Sequence, residues 1–282
     1  MAQSNGLRGV CAGVLVLVSA LGSASVSARS LTDLDAVHQS AAERTLVMRV
    51  AKAHLQLAAG VDRDQARQAL TTSIAQYEKN LDQLEANSPN SAINQRIVKI
   101  KGLWQDYKAM AQSKPSRESV VALLEASDNL LFQSDALVRD WQMRLPQNQG
   151  ERSDLALQQG MLSERIGLFY AAHNYGINEP WVLEEMNYSM QAYEKGMSQL
   201  RSAAWNDGET RALTQLDTQW HAARGGLQQV TSGRSAPALV AVAMESLYQQ
   251  SNELGALYRE DDRMEMLGRG ITMGLASNVP ME

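Results

Sequence analysis

The chain has 282 residues, a single cysteine and a formal net charge of −5 at neutral pH. A mildly acidic protein without basic clusters is poorly suited to nucleic acid or to an anionic membrane surface, so neither is predicted as a partner. One cysteine excludes an intrachain disulfide. Because no nucleophile-elbow, phosphate-loop or zinc-protease motif occurs, we predict that the protein is not an enzyme.

Residues 1–28 are predicted to be a cleaved signal peptide. Arg8 precedes an apolar run from Val10 to Leu21, and Val26-Ser27-Ala28 has the small-residue pattern of a cleavage site. The run is shorter than the roughly 20 apolar residues that span a bilayer. Cleavage leaves 282 − 28 = 254 residues without cysteine. We therefore expect a soluble protein of the periplasm.

The rest of the sequence repeats itself at a fixed distance. Residues that recur 116 positions later include Arg49 (as Arg165), Gly60 (as Gly176), Tyr77 (as Tyr193) and Trp104 (as Trp220). The offset grows to 120 before the last helix, where Ala136-Leu137 aligns with Ala256-Leu257. One offset shared over so long a span indicates a tandem duplication. We assign residues 29–147 to the first repeat, 148–268 to the second and 269–282 to a flexible, glycine-rich tail.

Four helices are predicted in each repeat. In the first repeat they cover about Leu31 to Ala59, Asp62 to Ala86, Ala92 to Gln112 and Ser119 to Arg144, with glycine, asparagine or proline in the breaks. The second repeat begins with a helix from about Ser153 to Tyr175, and Asn178 is expected to cap the next one. The fold class is therefore all-α, with two tandem four-helix bundles. The bundles could pack side by side or end to end.

Three arginines in the first helices are candidate binding residues. Arg49 follows Leu46 of the buried stripe by three residues, so we expect it to pair with an acid of its own bundle, and Arg165 repeats it. Arg44 points elsewhere, because five residues turn a helix through about 500°. If the two first helices pack together, Arg44 faces a shared crevice. A planar guanidinium there suits a small oxyanion, although a solvated arginine has the same periodicity.

Both first helices resemble the opening motif of the PilJ/NarX-type sensory domain, found in type IV pili methyl-accepting transducers and nitrate/nitrite sensor kinases. The family pattern is close to Gly-x-x-Arg-Met-x-Ser-x-Arg. The first copy matches it at Arg44 and Arg49. The second matches at Met161, Ser163 and Arg165, with Gly160 in place of the first arginine. The resemblance implies a nitrate or nitrite site, for which Arg44, Arg49, Ser163 and Arg165 are the candidates.

The predicted function is an exported sensory module that binds a small anion and signals through a membrane-bound receptor or transporter component. The glycine at position 160 removes one of two guanidinium partners, and a hydrogen bond to a charged group contributes about 1.5–3 kcal/mol. Losing this hydrogen bond would weaken the affinity for the anion by one to two decades, at about 1.4 kcal/mol per decade.

Two alternatives to anion sensing remain open. The first is a helical adaptor that docks to an envelope, pilus or chemotaxis component without a small ligand. The second is an electron carrier with b-type haem held by a methionine and a histidine. The four histidines form no Glu-x-x-His pair, so we predict neither a metal nor a cofactor. Association of two chains is also open.

Overall fold

The described part of the chain is all-helical. A computed structural model describes residues 31–146, 148–204, 206–230 and 236–276, with side chains to residue 268. Over these ranges it contains eight helices and no strand: α1 (Asp33–Ala59), α2 (Arg63–Ala86), α3 (Ser91–Gln112), α4 (Arg117–Gln142), α5 (Glu151–Asn174), α6 (Pro180–Ser202), α7 (Asp207–Gln228) and α8 (Pro237–Ala276). The predicted signal peptide lies outside the described residues.

The helices begin and end where the sequence places caps and breakers. Side chains of Thr32, Asn90 and Ser116 accept a hydrogen bond from the backbone N–H three residues later, which satisfies a free donor of the first turn. Gly60 ends α1 with a φ of 72°, a conformation that glycine adopts without strain. Asn178 does not cap α6 as expected, since the N-cap residue is Glu179 and Pro180 opens the helix.

The helices of the two halves make the same set of main contacts. In the first half α1 packs on α2 and α4, while α3 packs mainly on α4. In the second half α5 packs on α6 and α8, while α7 packs mainly on α8. A further contact joins α1 to α5, and the described helices belong to one compact unit. This is the pattern expected for two four-helix bundles that lie side by side.

The duplication is also visible in the buried aromatic pairs. Tyr77 of α2 stacks on Trp104 of α3 with ring centroids 3.8 Å apart, and Tyr193 of α6 packs on Trp220 of α7 at 4.5 Å. All four side chains are buried. Each pair bridges two helices that otherwise make few contacts, so the repeated aromatic residues close each half along the same side.

The last helix is longer than the sequence suggested. We expected a flexible tail from residue 269, but α8 continues to Ala276 and spans 40 residues. Each glycine of this segment weakens the helix by about 1 kcal/mol but does not break it as a proline would, and residues 238–279 contain no proline. α8 runs antiparallel to α5: Asp262 Oδ2 accepts a hydrogen bond of 2.8 Å from Gly150 N at the start of α5, whereas Gly167, later in α5, lies against Met244 near the start of α8. The residues that follow Asp262 therefore extend past the start of α5.

None of the helices within the described ranges combines the length and apolar character that a membrane span requires.

Candidate functional site

The first helices of the two halves run parallel and in register. Arg49 of α1 meets Glu164 of α5, a separation of 115 residues, and Tyr175 OH donates to the Ala58 carbonyl across 117 residues. Both separations lie close to the 116-residue offset of the duplication. Equivalent parts of the repeats therefore face each other along this junction, which is where the predicted site residues lie.

Arg44 faces the other half of the molecule, as the helical geometry suggested, but its donors are occupied. The residue is 2% exposed. Its Nη1 donates to Asp135 Oδ1 of α4 at 2.8 Å, its Nη2 donates to Asp154 of α5, and its Nε donates to the Ala41 carbonyl at 3.2 Å. Burial alone would lower the pKa of Arg44, but the two carboxylates outweigh it and raise the pKa. Arg44 therefore joins α1, α4 and α5 as a charged structural link.

Arg49 does not pair within its own bundle, and the expectation that it would is wrong. Its Nη1 donates to Glu164 of α5 at 3.0 Å and to Glu245 of α8 at 3.1 Å, and Lys52 binds the same two carboxylates. The guanidinium also lies over the Tyr248 ring, 4.6 Å from its centroid. The reason is that α5 and α8 cover the flank of α1 beside the buried stripe. Burial would raise the pKa of Glu245, but Lys52 and Arg49 hold it below its ordinary value.

Arg165 occupies the repeated position and keeps one free nitrogen. Its Nη2 contacts Asp128 of α4 at 2.9 Å and Glu185 of α6 at 2.8 Å, and its guanidinium lies 4.9 Å from the centroid of the Phe169 ring. Its Nη1 is buried and has no hydrogen-bond partner among the described residues. Ser163, the fourth predicted residue, donates to the Gly160 carbonyl inside α5 at 2.8 Å. Its hydroxyl hydrogen is therefore not available to a ligand.

Two glycines of the second half stand where the first half has the Arg44–Asp135 pair. Gly160 follows Arg44 by 116 residues, and Gly255 follows Asp135 by 120. A Cβ at Gly160 would lie 3.4 Å from Ser251, and one at Gly255 would lie 3.0 Å from Leu157. Close packing of α5 on α8 thus takes the place of the ion pair. The second half lacks both the arginine and the acid that pairs with it. The glycine at position 160 is therefore explained by helix packing and is not evidence against a ligand.

The charges at this junction favour cations over anions. Four cationic side chains (Arg44, Arg49, Lys52 and Arg165) contact six carboxylates (Asp128, Asp135, Asp154, Glu164, Glu185 and Glu245). A small anion would meet a net negative set of side chains, and at Arg44 it would have to displace a carboxylate. None of the six acids was predicted from the sequence as a partner of these cations. One of them, Asp135, could have been found from the sequence, because the positions equivalent to Arg44 and Asp135 are both glycine in the second repeat (Gly160 and Gly255).

Other possible sites are weaker. Among the described residues no three His, Cys, Asp or Glu side chains are placed to hold a metal ion. A groove of about 260 Å³ between α6 and α7 is lined by Arg201, Asp217, His221 and three threonines. There Arg201 donates to Asp217 at 2.6 Å, so its charge is compensated. The groove contains none of the four predicted binding residues.

No protein family, curated protein or solved structure matches this chain. The resemblance to PilJ/NarX-type domains stays a prediction that rests on the motif.

Proposed function

We propose that the protein is a non-catalytic helical adaptor that docks to another component of the bacterial envelope through the far end of α8. The observation that carries the proposal is the exposure of large apolar side chains there. Leu257, Met264 and Leu267 are 44%, 62% and 57% exposed. Exposed apolar side chains grouped on one surface favour an interaction site over scattered single ones.

The spacing of these residues fits a helix that binds in a groove. Leu257, Met264 and Leu267 lie at i, i+7 and i+10, hence on one face of α8, and Ile271 continues the seven-residue spacing in the sequence. Arg263 of α8 contacts Asp35 of α1, so this face lies beside a point where α8 is held to the first half. An apolar groove on a partner would bury the three exposed side chains and remove them from water.

Capture of partners by paired variants tests this proposal. Tagged protein would be incubated with detergent-solubilised envelope, and bound proteins would be identified for wild type, for Met264→Ser with Leu267→Ser, and for Leu239→Ser with Val242→Ser. The last pair is also exposed and on α8, but near its start. We expect one set of proteins to be lost only with the first pair. Equal capture by all three, or none, would contradict the docking role of this end.

Anion sensing is a second candidate, favoured by the free Nη1 of Arg165. In this proposal nitrate or nitrite binds that buried nitrogen at the contact between α4, α5 and α6, and a membrane-bound receptor or transporter component reads the bound state. Thermal unfolding with nitrate, nitrite, chloride and sulfate tests it, because a ligand at one hundred times its Kd stabilises by about 2.7 kcal/mol. A nitrate-specific rise in Tm should disappear in Arg165→Lys. No rise with any anion rejects the proposal.

A further inference from the structure

Glu43 is a carboxyl group enclosed in the first half of the molecule, away from the junction acids. It lies on α1 and is 1% exposed. Its Oε1 accepts a hydrogen bond of 2.7 Å from Asn80 Nδ2 of α2, and its Oε2 has no hydrogen-bond partner within the described ranges. A buried acid with half of its acceptor capacity unused is costly as a carboxylate, but not as a neutral acid.

The groups that face Glu43 do not compensate a negative charge. Tyr77 of α2 lies within electrostatic range of it and against Ser134 of α4, and it stacks on Trp104 of α3. Burial, and after it the proximity of Glu43, raises the pKa of Tyr77 well above its ordinary value, so the phenol is neutral. Arg44, the next residue of α1, directs its guanidinium to Asp135 and Asp154 instead. No described cation forms an ion pair with Glu43.

The duplication supplies a neutral counterpart of this group. The residue 116 positions after Glu43 is Gln159, which is also buried, and the residue 116 positions after Asn80 is Gly196. A Cβ at Gly196 would lie 2.1 Å from Gln159 Nε2, so the glutamine amide fills the space that the asparagine leaves. An amide has nearly the shape of a protonated carboxyl group. The second half therefore buries a neutral side chain of nearly the same shape at the position equivalent to Glu43.

We propose that Glu43 is a proton-binding site of the folded protein, and that release of its proton loosens α1 from α2 and α4. Burial raises the pKa of Glu43 well above its ordinary value of 4.5, more than the hydrogen bond from Asn80 lowers it. Between the ordinary pKa of Glu43 in the unfolded chain and its higher pKa in the folded protein, the folded state holds one more proton than the unfolded state. In this pH range the unfolding constant therefore falls about tenfold for each unit by which the pH is lowered. Protonation of Glu43, taken by itself, would strengthen the packing of α1 on α2 and α4 as the pH of the compartment falls.

Comparison of the full chain with its Glu43→Gln variant tests the proposal. Urea unfolding at half-unit steps from pH 4 to pH 8 gives the ratio of the two unfolding constants at each pH. Other titrating groups are shared and cancel in that ratio. We expect a ratio that is constant below pH 4.5 and then changes about tenfold per unit in favour of the variant, up to the pKa of Glu43 in the folded protein. A ratio independent of pH overturns the proposal.

Two further measurements separate proton binding from a general packing effect. Glu245→Gln removes an acid paired with Lys52 and Arg49, whose pKa lies below its ordinary value. Its ratio should be independent of pH above about pH 5, with the variant less stable throughout, and should change in the opposite direction only as the pH falls below 4.5. In the difference spectrum of wild type minus Glu43→Gln at pH 6, the infrared band of one protonated carboxylic acid should remain. Identical spectra would overturn the proposal independently of stability.

Discussion

Arg49 donates a hydrogen bond of 3.0 Å to Glu164 across the junction of the two halves, and the carboxylate that receives it is fully buried. Lys52 binds the other oxygen of the same carboxylate at 2.6 Å. In the first repeat the position equivalent to Glu164 is Met48. The two copies therefore differ here: α1 has a buried methionine, whereas α5 has a buried acid whose ion pairs hold α1 against α5.

Replacing Glu164 with alanine should destabilise the protein by about 2–4 kcal/mol. Removal of one partner of a buried ion pair typically costs 3–5 kcal/mol, and the partial exposure of Arg49 and Lys52 reduces this. Urea unfolding at pH 7 gives the value. Asp64→Ala, which removes an acid from the exposed pair with Arg67, should cause no measurable change. Equal effects of the two variants would show that Glu164 does not stabilise the junction.

Arg44 and Asp135 should be strongly coupled. Arg44→Ala leaves Asp135 and Asp154 without their cation, so we expect a loss of about 3–5 kcal/mol. Asp135→Ala leaves Arg44 bound to Asp154 and should cost less. In a double-mutant cycle measured by urea unfolding, the double variant should be at least 1 kcal/mol more stable than the sum of the single losses predicts. Additive losses would contradict the direct pairing of these residues.

His38 should make the protein sensitive to acid. Burial, and after it the positive charge of Arg259, lowers the pKa of His38 from 6.5 to about 4, against a smaller opposing effect of Asp35. The unfolded state therefore binds the extra proton between these values, and stability falls as the pH drops from 6.5 towards 4. At 1.36 kcal/mol per pH unit the loss is at most about 3 kcal/mol.

The His38→Gln variant isolates this effect. Its unfolding free energy should be nearly constant relative to the wild type above pH 7 and should improve relative to it below pH 6. His221→Gln, at an exposed histidine of α7, is the control for the effect of the substitution itself. Parallel curves for wild type and His38→Gln from pH 4 to pH 8 would disprove the role of His38.

The two tryptophans that close the halves should contribute similarly. Trp104→Ala and Trp220→Ala each remove a buried ring that packs on a tyrosine, and such truncations cost about 3–5 kcal/mol. We expect both variants to unfold at lower urea concentrations than Trp181→Ala, whose parent side chain is only partly buried. Hydrogen exchange would show whether each variant loosens its own half first. An effect confined to one tryptophan would argue against equivalent packing in the two halves.

The sequence by itself determined the helices and their order. Caps and breakers such as Thr32, Gly60 and Pro180 act on their immediate neighbours, and the helical periodicity is local as well. The duplication and the all-helical fold class could therefore be predicted from the chain alone. The different flanks on which Arg44 and Arg49 leave α1 were predictable too, since they depend only on the rotation of one helix.

Only the tertiary structure decided what each candidate residue does. The acid that meets Arg44 on α4 is 91 residues away and the one that meets Arg49 on α8 is 196 residues away, so no local pattern relates them. Their pairing depends on which flank of α1 the other helices cover. The same packing encloses Glu43 with no counter-ion, whereas Gln159 occupies the matching place in the second half. The sequence states which residues are charged. Which of these charges compensate one another depends on distances between helices, and only the folded chain sets those distances.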